Sequence, residues 1–86
     1  RPSAPRWGTK RRALPVQRRK KELVLEEVLR RIPRRREYPE VDLNAFIEVV
    51  FDDYCTVRRE WIMGGYMTRA AHVYRLAERG QAVVNA

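Results

Sequence analysis

Three apolar stripes at helical spacing, parted by proline and aspartate, constrain this chain more than any other feature. Leu25, Val28, Leu29 and Ile32 stand at i, i+3, i+4 and i+7, which lines them up on one helix face. Pro15 precedes the stripe and Pro33 stops it, because proline lacks the donor that the helical ladder needs. A helix is therefore expected from about Arg18 to Ile32, with Arg30 and Arg31 in its last turn at the negative end of the dipole. Leu43, Phe46, Ile47 and Val50 repeat the spacing and predict a second helix from Pro39 or Glu40 to about Phe51. Pro39 suits its first position, and Glu40 and Asp42 complement the dipole.

A third helix is expected to open after Asp52 or Asp53, either of which can cap it, and to end at Gly64-Gly65. At 100° per residue Tyr54, Val57, Trp61 and Ile62 share its buried side, while Thr56, Arg59 and Met63 point nearly opposite. Arg58 falls on the flank of the buried side. It is expected to pair with a carboxylate of the fold, such as Asp53 or Asp42, leaving Arg59 as the ligand contact. Beyond the glycines, Tyr66 to Arg69 and His72 to Leu76 alternate at period two around Ala70-Ala71, which reads as a short hairpin. Neither alanine favours positive φ, so the tip is expected to be longer or differently shaped than a tight two-residue primed turn. The residues after Ala77 carry no clear pattern.

The reading is a mainly α fold with a small β-hairpin: a winged helix-turn-helix preceded by a basic N-terminal arm. Residues 1–14 form the arm, 15–80 the winged-helix domain and 81–86 a C-terminal tail. Chemistry-bearing clusters are absent. With His72 and Cys55 as the single histidine and cysteine, no four-ligand zinc site can be built from the chain alone. No glycine-rich phosphate loop occurs, and no cofactor or metal is expected. Asp52 and Asp53 need no role beyond capping, and the chain is not expected to be an enzyme. A lone cysteine points to a reducing, cytoplasmic setting. No apolar run approaches the ~20 residues of a membrane span.

The charge is lopsided. Of the 86 residues, with net charge +8, the first 37 hold 14 Lys+Arg and 4 Glu, and the remainder 5 Arg and 7 Asp+Glu. Clustered like charge repels itself and gains most when phosphates neutralise it. The expected partner is therefore a nucleic acid. Lys10, Arg11, Arg12, Arg18, Arg19, Lys20, Lys21, Arg34, Arg35 and Arg36 would meet phosphates. Thr56 and Arg59 are the candidates for base edges, with Arg69 near the wing supporting phosphate or groove binding. Two other readings stand beside a DNA-binding transcription module: a small RNA-binding or ribosome-associated protein, and a protein-interaction domain.

The ordered set Leu14-Pro15, Tyr38-x-Glu40-x-x-Leu43-Asn44, Asp53-Tyr54-x-Thr56-Val57-Arg58-Arg59-Glu60, Arg69 and Tyr74 resembles domain-of-unknown-function family 2087 over about residues 14–76. The resemblance implies a winged helix, alone or attached to bacterial transcriptional regulators. Pro39 departs from the threonine usual in that family and gives up its hydroxyl cap, and Ala70-Ala71 stand where the family's wing turn often has Asp-Gly.

Overall fold

Proline and the apolar stripe together set the first helix. The computed structural model describes residues 14–86, in which α1 spans Arg18–Arg31 and buries Val24, Leu25, Val28 and Leu29. Lys10, Arg11 and Arg12 lie outside the described residues. The chain leaves α1 at Ile32, which is extended, and Pro33 follows. Tyr38, buried in the core, fixes this exit. Its hydroxyl donates to the Pro33 carbonyl at 2.7 Å and accepts from the Arg35 N–H at 3.0 Å.

A two-residue strand, β1 (Tyr38–Pro39), leads into α2 (Glu40–Val50) and then α3 (Tyr54–Met63). Pro39 occupies the cap position, one residue ahead of the first helical position predicted for it. Between the two expected caps of α3 the structure selects Asp53, whose carboxylate accepts from the Thr56 N–H at 3.2 Å. The hairpin follows as β2 (Met67–Ala70) and β3 (Val73–Leu76), and β3 also pairs with β1. The result is an antiparallel sheet in the order β1-β3-β2, with Tyr74 opposite both Tyr38 and Arg69.

The stripes meet around Trp61, which is fully buried with Leu29, Leu43, Ile47, Phe51 and Val57 among its fellow core residues. Its indole Nε1 donates to the Leu25 carbonyl at 3.0 Å, so the one polar atom of that side chain is not left unpaired in the core. The fold is mostly helical with a small three-stranded sheet. Its element order is compatible with a winged helix.

Three expectations are corrected. The residues after Ala77 form α4 (Glu78–Asn85) instead of a patternless end, so most of the expected 81–86 tail is helical. Its Val83 and Val84 pack on the core, and Arg34 holds its C-terminal end through the Val84 carbonyl and Asn85. The hairpin tip is a two-residue turn after all, made by Ala71 (φ 52°) and His72 (φ 66°). The His72 carbonyl accepts from the Glu40 N–H at 2.8 Å, which ties this turn to the neighbouring β1–α2 junction. Ile62 is exposed, not on the buried side of α3.

Candidate functional site

The outward face of α3 and the inner edge of the hairpin enclose a groove of about 650 Å³, lined by Cys55, Arg58, Arg59, Ile62, Met63, Arg69, Tyr74 and Glu40. Helical spacing explains one wall, because positions 55, 59, 62 and 63 share a face. The sheet register explains the other: Arg69 stands opposite Tyr74 and so shares its face. The structure thus brings Arg59 and Arg69, distant in sequence, to one groove.

The two adjacent arginines of α3 do different work. Arg58 keeps only 14% of its side chain exposed and lies 3.3 Å from Glu40 Oε1. It donates to the Tyr74 hydroxyl at 2.7 Å and to Cys55 Sγ at 3.4 Å. Partial burial pulls its pKa down, but the hydrogen bonds to Tyr74 and Cys55 and the nearby Glu40 outweigh that and leave it raised. Its carboxylate partner is Glu40, not Asp53 or Asp42 as the helix geometry suggested. Arg59 is exposed and, like Arg69, forms no ion pair among the described residues. Among the influences on Asp53, the Arg59 charge is the last and smallest.

Thr56 is committed to the cap. Its hydroxyl donates to Asp53 Oδ2 at 2.6 Å, which spends the proton a base acceptor would need. This bond and the Thr56 N–H hold the Asp53 carboxyl below the usual carboxylate range.

A second groove, of about 390 Å³, runs between the start of α1, the end of α3 and α4, lined among others by Arg18, Lys21, Met63, Tyr66 and Arg79. Cations in the first turn of a helix face the positive end of its dipole. Yet α1 opens on Arg18, Arg19, Lys20 and Lys21 with no acidic residue in that turn. Glu22 relieves part of the repulsion, at 3.5 Å from Arg18 and 3.6 Å from both Arg19 and Arg79, and Lys21 reaches Glu60 at 3.6 Å. Met63 lines both grooves.

The third basic run is placed elsewhere. Arg34 holds α4, Arg35 lies over the Phe46 ring and 3.5 Å from Asp42, and Arg36 sits beside Glu37 and Arg75. None lines the groove of Arg59 and Arg69. Arg30 and Arg31 pair with Glu26 and Glu27 on their own helix. Sequence reasoning missed Arg79, Ile62 and Met63. Arg79 belongs to a helix without a legible stripe, Ile62 was expected on the buried side, and Met63, though expected to face outward, gave no sign that two grooves meet at it.

A family described as an uncharacterized protein conserved in bacteria, DUF2087, matches residues 11–76. The chain belongs to this family. The DUF2087 match ends just before α4, so the helix that closes one side of the second groove lies beyond it, while α3, the hairpin and the first groove lie within. No curated protein and no solved structure matches the chain. Among the described residues no helix is long and apolar enough to cross a membrane, and no three His, Cys, Asp or Glu side chains are grouped to hold a metal ion.

Proposed function

We propose that this DUF2087 chain is a nucleic-acid-binding module of a cytoplasmic bacterial protein, acting in transcription as a winged helix and holding its target mainly through phosphates. The observation that carries the reading is the pair Arg59 and Arg69, from α3 and β2, lining one groove with no ion pair among the described residues. Exposed guanidinium groups on two converging elements fit phosphate oxygens, which accept their forked donors. The cations at the start of α1, only partly offset by Glu22 and Glu60, supply a second anchoring region, and Lys10, Arg11 and Arg12 of the arm add charge. Arg58 contributes indirectly, by holding α3 against the hairpin through Glu40 and Tyr74.

The test is a salt titration of duplex DNA binding, read by fluorescence anisotropy. Log affinity falls with log salt at about −0.9 per phosphate neutralised. Arg59→Ala and Arg69→Ala should each flatten the slope by about one. Replacing Lys10, Arg11 and Arg12 together by alanine should flatten it further. A slope unchanged in all three variants contradicts the reading, and tighter binding to structured RNA than to duplex DNA moves it to an RNA target.

A further inference from the structure

Met63 forms an apolar ridge with cations on both sides. It is 72% exposed, and Ile62 beside it is 37% exposed. On one flank lies the groove of Arg59 and Arg69, where Glu40 holds Arg58, and on the other the groove of Arg18, Lys21 and Arg79. The second groove also holds Glu22 and Glu60, and the first turn of α1 adds Arg19 and Lys20. Single exposed apolar residues are ordinary on protein surfaces. Two adjacent ones on the crest between two cationic troughs are directional, because they require a partner with an apolar strip bordered on both sides by negative charge.

Duplex DNA has that cross-section in its major groove. Two phosphate strands edge a trough about 12 Å wide, which admits one helix, and the thymine C5-methyl groups are the apolar features on its floor. The major groove of duplex RNA is too deep and narrow for side chains to read, and its uracil lacks the methyl.

We infer that Met63, with Ile62, is a specificity-determining contact that reads thymine methyl groups in the major groove of duplex DNA, with Arg59 and Arg69 on one phosphate strand and Arg18 and Lys21 on the other. This rests on the nucleic-acid reading above and deepens it, since it selects DNA over RNA and thymine-containing sites over others.

The experiment prepares one randomised duplex pool in two forms, with thymidine or with deoxyuridine, which removes only the methyl groups and keeps charge and pairing. The two forms compete for the full chain, and bound sites are recovered and re-competed. The thymidine form should win by about three- to fivefold per methyl contacted. Met63→Gln, a change at an exposed position, should abolish the preference while leaving the salt slope of binding as it was. Equal binding of the two forms with a steep salt dependence overturns the inference and leaves the phosphate-binding reading intact. Preference retained in Met63→Gln, or duplex RNA bound as tightly as DNA, overturns it likewise. Failure of every duplex to bind in dilute salt removes the nucleic-acid reading together with this one.

Discussion

Gly80 of α4 lies directly against the backbone carbonyl of Tyr66, so closely that a side-chain carbon at position 80 would overlap the oxygen. The same carbonyl accepts from the Ala77 N–H at 2.9 Å. The Tyr66 hydroxyl bonds Glu26 Oε2 at 2.8 Å, and Arg79 covers its ring with the guanidinium 4.2 Å from the centroid. Tyr66 thus joins α1, the start of the hairpin and α4, and the contact with α4 is open only to glycine.

Gly80→Ala should therefore destabilise the chain even though alanine is the better helix former. The backbone has to shift, at a cost of about 1–3 kcal/mol, which for a domain of this size lowers Tm by roughly 4–8 °C per kcal/mol. Thermal unfolding followed by circular dichroism measures it. An unchanged or raised Tm would show that α4 is not seated as described.

Arg58 and Arg59 should separate cleanly. Arg58→Ala strips Glu40 and Tyr74 of their shared partner, and losing such a partly buried network costs about 2–3 kcal/mol. Arg59→Ala removes no ion pair among the described residues and only a weak influence on the Asp53 cap, so it should stay within about 0.5 kcal/mol of the parent, while weakening DNA binding. Urea denaturation paired with a binding assay on both variants decides the matter, and the reverse pattern would mean that the two arginines have been assigned to the wrong faces.

Alkaline pH should destabilise the fold through Tyr66. Burial, then the hydrogen bond and charge of Glu26, push its pKa up to about 12 from the ordinary 10. The folded state therefore holds this proton after the unfolded state has released it. The stabilisation is complete below pH 10 and is lost as pH rises from 10 through about 12. Tyr66→Phe cannot ionise, so its stability should fall less over that window when the two are compared by denaturant unfolding at each pH.

Thr56→Val keeps the shape of the side chain and removes the hydroxyl from Asp53. Loosening the cap of α3 should cost about 1 kcal/mol at neutral pH. Asp53 has a lowered pKa, chiefly through that hydroxyl. Its contribution is present above the ordinary value of 3.8 and is lost as pH falls through the lowered one. The valine variant should then show a shallower loss of stability on acidification, measured by thermal unfolding between neutral and acid pH.

The stripes that were legible are those on which local pattern and tertiary demand agree. Leu25, Val28 and Leu29, then Leu43, Ile47 and Val50, are buried where their spacing placed them. Of the candidate site, Arg59 and Arg69 share a groove, and the distinct role of Arg58 followed from its place on the flank of α3. Its partner did not, because Glu40 is brought to it by the β1–β3 pairing, which a two-residue strand cannot announce by any periodicity. α4 escaped notice because Gly80 is a poor helix former and only Val83 and Val84 pack on the core.

What the sequence determined by itself was the three helices α1 to α3 and the hairpin, and the concentration of positive charge in its first 37 residues. Spacing and helix-breaking residues are properties of neighbours along the chain. Tertiary structure alone decided that Arg34 holds the end of α4, that Ala71 and His72 accept positive φ, and that Met63 stands between two cationic grooves. Each of those outcomes depends on groups far apart in sequence. The free energy that selects them, from a hydrogen bond to a distant carbonyl or a close approach only glycine allows, does not exist until the elements have packed.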